Sequence, residues 1–152
     1  MKKMSLMIVA ATMAMGSTAV IAHAESTGNA DADKRIMKMK ELGGSMKAIA
    51  AVAKGEADYT PALNAKAEKI AMIAAEMGTL FPEGSGVETS RSKAEIWSQP
   101  DKFKTAVSNF EMAASGLVAA VETGDQGKIG AALGATGKTC GGCHKPFRKP
   151  KD

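Results

Sequence analysis

Aromatic residues are scarce in this chain of 152 residues, which has one tryptophan, one tyrosine and four phenylalanines. A core must therefore be built from aliphatic side chains and the 11 methionines, unless a large bound group supplies bulk. Basic and acidic residues are nearly balanced, 20 against 16. There is no long basic run and no interleaving of aromatic with basic residues, so nucleic-acid binding is not expected.

Alternation of apolar and polar residues with a period of two is also lacking, so no β-sheet is expected. Apolar residues instead recur at spacings of three and four, which is typical of amphipathic helices. Four such helices, joined by two short turns and one long connection, predict an all-α antiparallel four-helix bundle. The helices are predicted at Asp31 to Lys54, Thr60 to about Gly78, Pro100 to Thr123 and Gln126 to Lys149, with the long connection at Pro82 to Gln99.

Details of these helices can be predicted too. Thr60 and Asp125 are candidate N-caps, and Trp97 is the expected packing anchor of the long connection. Gly43 and Gly44 interrupt the first helix and would allow close approach of a neighbour, either within the bundle or in a dimer. The apolar stripe of the first helix is predicted to comprise Ile36, Met39, Leu42, Met46, Ile49 and Ala53.

The N-terminus has the form of a secretory signal. Lys2 and Lys3 precede an uncharged stretch, and Ala22 to Ala24 has the small-x-small pattern that signal peptidase cleaves. We expect residues 1–24 to be a cleaved signal peptide and residues 25–152 to form the mature domain in a bacterial periplasm. A short anchor helix is the alternative for residues 1–24. Nothing after Glu25 is long and apolar enough to be expected to span a membrane.

The segment Cys140 to His144 reads Cys-Gly-Gly-Cys-His, the attachment motif of c-type haem. Residues three and four apart share one face of a helix. Each thiol can therefore add across a haem vinyl group, while the imidazole of His144 binds the iron. One covalently attached haem c is the predicted cofactor.

Other readings of this motif are a redox dithiol, a zinc site and a structural disulfide. A redox Cys-x-x-Cys usually follows a strand, whereas this one ends an all-helical chain. A zinc site needs about four ligands, and two cysteines with one histidine would have to recruit carboxylates. A disulfide would leave His144 unexplained. All three are weaker than haem attachment.

The chain resembles the class II c-type cytochromes, the group that contains the cytochromes c'. Members of that group are four-helix bundles with the haem motif near the C-terminus. The resemblance covers nearly all of the chain after the signal. It is carried by Cys140 to His144 followed by Phe147-Arg148, by Arg35 with Leu42 to Lys47, by Ala53 to Glu56 and by Ala94 to Trp97.

The resemblance implies a role for Met39, four residues after Arg35, on the distal side of the haem. In low-spin members a methionine here binds the iron, which suits an electron carrier. In cytochromes c' a bulky residue here walls an open site that takes up nitric oxide or carbon monoxide. The sequence favours the electron carrier, with gas binding as the alternative. Met37 and Met46 are rival ligands, although Met37 is rotated by about 200° from Met39.

The resemblance also implies that Arg35 lies near a haem propionate and Arg148 near the proximal side of His144. Family members are often homodimers through their first two helices. We expect redox proteins as partners, diatomic gases as the alternative ligands, and no catalytic residues. The protein is therefore not expected to be an enzyme.

Overall fold

The computed structural model describes residues 26–150. The predicted signal peptide lies outside the described residues. Within them the chain forms five α-helices and no strand. The helices are α1 (Ala30–Ala53), α2 (Asn64–Glu76), α3 (Glu95–Ser98), α4 (Pro100–Glu122) and α5 (Gln126–Phe147).

The four long helices make a bundle, as predicted. α1 packs against α2 and α5, and α4 packs against the same two helices. Short turns join α1 to α2 and α4 to α5, so these neighbours are antiparallel. The core lies between all four helices and is aliphatic, apart from Phe103, Phe110 and Phe147. None of the helices among residues 26–150 is long and apolar enough to cross a membrane.

The helix ends follow local chemistry, with one exception. Asp125 caps α5, because its Oδ1 accepts from the amide of Lys128 at 2.8 Å. Gly55 after α1 and Gly124 after α4 have φ of +72° and +64°, the left-handed region that favours glycine. The prediction for Thr60 was wrong: its side chain makes no capping bond, and a 3-10 turn at Pro61–Leu63 leads into α2 instead.

The apolar residues that recur every three or four positions in α2 and α4 are buried, but the stripe predicted for α1 does not hold throughout. Ile36 is 37 % exposed, whereas the polar side chains of Arg35 and Ser45 are buried on α1 together with Leu42 and Ile49. The buried face of α1 is therefore rotated away from Ile36. The cause is that Arg35 finds acceptors inside the protein, so a charged residue occupies a core position.

The long connection is held to the bundle by Trp97, as predicted. Its indole Nε1 donates to the carbonyl oxygens of Phe81 and Pro82, each at 3.1 Å. Gly86 lies directly on the indole ring, since a Cβ there would come within 2.6 Å of it. Trp97 itself lies in the short helix α3, which begins at Glu95.

Candidate haem-binding site

The last turns of α5 present the three residues of the attachment motif. Thr136, four residues before Cys140, is fully buried and its hydroxyl donates to the carbonyl of Ala113 on α4 at 3.3 Å. Cys140 and Cys143 lie on the same face of α5 as Thr136, and both pack, half-buried, against the core. His144 is half-buried as well. It is displaced by about 80° of helix rotation from Thr136, away from the α4 side.

The environment keeps the donor groups of this motif uncharged. Burial raises the pKa of the Cys140 and Cys143 thiols above the ordinary value of 9.0. Burial also lowers the pKa of His144 below 6.5, and the positive charges of Arg148 and Arg91 lower it further. A neutral imidazole has a free lone pair and can bind iron.

The arrangement of donors fits a covalently held haem. Two thiols one turn apart on the same face of α5 could each form a thioether, and His144, the next residue, would supply a nitrogen ligand to the iron. A Cβ at Gly141 or Gly142 would meet no other part of the protein within 4 Å, so backbone and surroundings leave space beside the motif. In the described part of the chain, no three His, Cys, Asp or Glu side chains are grouped to hold a metal ion.

Met39 lies on α1 and packs, half-buried, against the same core as the two cysteines. Its position on the helix is fixed by its neighbours. Lys38 pairs with Glu76 of α2, so that flank of α1 faces α2. Ala53 approaches Gly130 of α5, and Met39 is rotated towards this second flank. Met39 and the motif therefore border the same α1–α5 side of the bundle, while Met37 is 57 % exposed.

Arg35 is only 4 % exposed, which is unusual for arginine. Its Nη1 donates to the carbonyl of Leu80 at 2.9 Å and to Oγ of Ser85 at 2.8 Å. Its Nη2 donates to the carbonyl of Ser85 at 2.8 Å, and the guanidinium lies 4.7 Å from the ring centroid of Phe81. The structure thus ties Arg35 to the start of the long connection. Its contact with a haem propionate stays a prediction.

Arg148 directly follows α5 in an extended conformation, and its amide donates to the carbonyl of His144 at 3.0 Å. Its charge is near enough to lower the pKa of His144. Arg91 acts on His144 in the same direction, and sequence reasoning missed it. Arg91 belongs to the long connection, 53 residues before His144, and no local motif marks it.

Two grooves lie away from these donors. One, of about 790 Å³, runs between α4 and α5 past Gly142 and Pro146. The other, of about 650 Å³, lies beside Phe81, Trp97 and Phe103. Neither is lined by the cysteines, by His144 or by Met39. The haem site is defined by Cys140, Cys143 and His144 and not by a groove, because a covalently attached haem must lie next to the two thiols.

A four-helix bundle with Cys-x-x-Cys-His at the end of its last helix defines a c-type cytochrome of the bundle class. Comparison with known proteins agrees. The family model described as Cytochrome C' matches residues 30–148. The chain belongs to the cytochrome c' family, and it carries one covalently attached haem c.

Relatives by sequence bear two kinds of name. The chain is 38 % identical to a cytochrome c' of Pararhodospirillum photometricum over 76 % of this chain and 93 % of that protein. It is 37 % identical to a cytochrome c' of Rhodospirillum rubrum over 97 % of this chain and 99 % of the relative. It is also 34 % identical to a cytochrome c-556 of Agrobacterium tumefaciens over 80 % of this chain and 98 % of the relative.

The fold matches solved structures of the same family. A ferrous variant of cytochrome c' from Alcaligenes xylosoxidans with bound NO aligns with a TM-score of 0.73 at 28 % identity, covering 80 % of this chain and 94 % of that one. Another variant of that protein, with bound carbon monoxide, aligns equally well over 79 % of this chain and 94 % of that one. These matches confirm the predicted four-helix bundle.

Proposed function

We propose that this protein binds nitric oxide or carbon monoxide at its haem, on the side opposite His144, and that it catalyses no reaction. The observation that carries this proposal is the similarity to cytochrome c' structures holding NO and carbon monoxide. Haem supplies the iron to which such gases bind. The protein holds it through Cys140, Cys143 and His144 and controls what reaches it.

The distal side proposed here is apolar. Met39 supplies a thioether side chain, and His144 is the only histidine after residue 24. The single tyrosine, Tyr59, lies against Gly124. That turn precedes α5, so Tyr59 is at the end of the bundle opposite the motif. A distal side without a histidine or tyrosine donor suits nitric oxide and carbon monoxide, which do not depend on a hydrogen bond, and disfavours water and anions.

A second candidate function is electron transfer with Met39 as the sixth iron ligand. It is favoured by the half-buried place of Met39 on the α1–α5 side and by relatives named cytochrome c-556. A methionine ligand would close the iron to gases and raise its reduction potential. We further propose, from the signal-like residues 1–24, that either function is carried out in the bacterial periplasm.

The absorption spectrum of the purified holoprotein, with and without carbon monoxide, separates the two. For gas binding we expect a broad high-spin Soret band that shifts when carbon monoxide is added to the reduced protein. A band at about 695 nm in the oxidised protein and no response to carbon monoxide would instead establish methionine ligation and electron transfer. Failure to find covalently bound haem would overturn the site itself.

Variants at Met39 sharpen this test. If Met39 walls an open site, Met39→Ala should bind carbon monoxide faster than the wild type, with the resting spectrum retained. If Met39 is a ligand, the same variant should lose the 695 nm band and become reactive to the gas. Met37→Ala is the matched control, since Met37 is on the same helix but 57 % exposed, and it should change neither property.

A further inference from the structure

Five basic residues from two distant segments meet at the C-terminal end of α5. Arg91 and Lys93 come from the long connection, while Lys145, Arg148 and Lys149 follow His144 directly. We refer to these five residues as the basic cluster. Because it surrounds the end of the helix that carries the haem motif, it lies beside the part of the surface nearest His144.

Hydrogen bonds hold the two segments together. The amide of Lys149 donates to the carbonyl of Arg91 at 2.7 Å, and the amide of Lys93 donates to the carbonyl of Phe147 at 3.0 Å. Nε and Nη2 of Arg91 donate to the carbonyl of Lys149 at 3.1 and 2.8 Å. The two segments that carry the cluster are therefore held next to each other by the fold.

The ammonium groups of Lys93 and Lys149 also donate to backbone carbonyls. Nζ of Lys93 donates to the carbonyl of Lys145 at 3.3 Å. Nζ of Lys149 donates to the carbonyl of Ser90 at 3.2 Å. Both acceptors are uncharged, so these bonds orient the cations without cancelling their charge.

No carboxylate of residues 26–150 forms an ion pair with a residue of the basic cluster. The ion pairs within 4.0 Å in this part of the chain are Lys38 with Glu76 and Lys54 with Glu56, and neither includes a residue of the cluster. Burial lowers the pKa of Arg148, and the nearby positive charge of Arg91 lowers it further, as expected for two neighbouring cations.

The C-terminal carbonyls of α5 offset part of this repulsion. A helix end carries about half a negative charge, which favours Lys145 and Arg148 near it. That is too little for five cations, two of which come from a different segment. The surplus positive charge is available to an anionic partner that approaches this end of α5.

We propose that the basic cluster is the docking surface for an acidic electron-transfer protein. This inference rests on the proposed function, because carbon monoxide binds reduced haem and an electron carrier must exchange electrons, so both candidates need a redox partner. A membrane surface is a weaker match. Membrane-bound surfaces combine basic with apolar anchoring residues, whereas the large exposed apolar side chains of the described chain are Ile36, Met37, Met72 and Met112, outside the cluster.

The test uses small redox reagents of opposite charge on the reduced holoprotein. Hexacyanoferrate(III), an anion, and tris(1,10-phenanthroline)cobalt(III), a cation, each accept one electron, leaving oxidised protein and the reduced reagent with no proton or group transferred. Lys145 is chosen for substitution because its side chain is exposed. We expect Lys145→Glu to slow oxidation by hexacyanoferrate(III) about threefold or more at low salt and to speed oxidation by the cobalt complex. Lys145→Gln, which removes one charge and not two, should change the logarithm of each oxidation rate by half as much.

Lys128→Glu is the matched control. Lys128 is exposed at the other end of the same helix, and its substitution changes the net charge by the same amount. It should alter both rates much less, and all differences should fade above about 0.5 M salt. Equal effects at positions 145 and 128 would overturn the proposal, because only net charge would then matter. Binding of the wild type to phosphatidylglycerol vesicles, lost in Lys145→Glu, would also overturn it in favour of a membrane.

The effect of these substitutions on the oxidation rates is independent of the gas-binding test. Loss of the carbon monoxide response would disprove the proposed ligand without changing the charge dependence of the oxidation rates. Covalent haem, measured for each variant from its pyridine haemochrome spectrum, shows that the rates compare equally loaded proteins.

Discussion

Arg91 and Lys149 bind each other in both directions. The Lys149 amide donates to the Arg91 carbonyl, and the Arg91 guanidinium donates twice to the Lys149 carbonyl. This reciprocal contact joins positions that are 58 residues apart. It closes the long connection onto the segment that follows the haem motif, next to the isolated bridge between Ser92 and Arg148.

Removing the Arg91 side chain should loosen this contact. We expect Arg91→Ala to lower the free energy of unfolding by about 1–2 kcal/mol, because a charged, half-exposed donor of two hydrogen bonds is lost. Amide hydrogen exchange at Lys149 and Lys93 should become faster. Arg91→Lys should retain part of the stability but not the paired bonds. Unchanged exchange at both amides would show that the side chain does not maintain the contact.

Arg35 should be far more sensitive. Arg35→Ala leaves the carbonyls of Leu80 and Ser85 without their donor inside the protein, so urea unfolding should show a loss of about 3 kcal/mol or more. Ser85→Ala removes one acceptor and should cost about 1 kcal/mol. The double variant should lose less than the sum, since the two side chains share a hydrogen bond. Additive losses would contradict the contact.

Two glycines should respond in opposite ways to alanine. A Cβ at Gly44, in the middle of α1, would meet nothing within 4 Å. Gly44→Ala should therefore raise the free energy of unfolding by about 1 kcal/mol through helix propensity. Gly86→Ala should lower it, because the new Cβ would lie 2.6 Å from Trp97. A destabilised Gly44→Ala protein would point to a partner chain packed there, and sedimentation would detect it.

Acid should release the start of α1. The pKa of Asp33 is held below its ordinary value of 3.8 by hydrogen bonds from the Ser26 hydroxyl and from the amide and hydroxyl of Thr27. Because the folded-state pKa is lowered, the carboxylate stabilises the protein above about pH 3.8, and this is lost as pH falls through the folded value. Asp33→Asn should thus melt at a lower temperature than the wild type near neutral pH.

The same comparison at about pH 2 should show a smaller difference between Asp33→Asn and the wild type, because the stabilisation is being lost as pH falls below 3.8 towards the lowered folded-state pKa. Asp58→Asn, in the exposed turn after α1, is the control and should track the wild type at both pH values. A difference for Asp33→Asn that is the same at both pH values would show that the charge of Asp33 is not its cause.

Much of the fold could be predicted from local pattern. α4 carries apolar residues at steps of four and three from Phe103 to Val121, and every one of them is buried. Its start was predicted at about Pro100 and lies there, because proline favours the first turn of a helix. α5 ends at Phe147, two residues before the predicted end, because Pro146 interrupts the helix and the chain then bonds to the long connection.

The first helix shows where pattern fails. Apolarity alone placed Ile36 inside the core and gave no reason to bury Arg35. The side chain of Arg35 is instead buried among acceptors that come from Leu80 and Ser85. A pattern of apolar residues cannot include such a partner, because the hydrogen-bond energy that offsets burial depends on residues about 50 positions away.

The sequence by itself determined the helices, the bundle class and the haem-attaching motif, because each depends on spacings of three and four residues within one segment. The role of Met39 stays a prediction, because a methionine at this position is compatible both with binding the iron and with packing in the core. Only the tertiary structure decided the burial of Arg35 and the assembly of the basic cluster. Both arise from hydrogen bonds between segments far apart in the chain, which form only when the bundle brings them together.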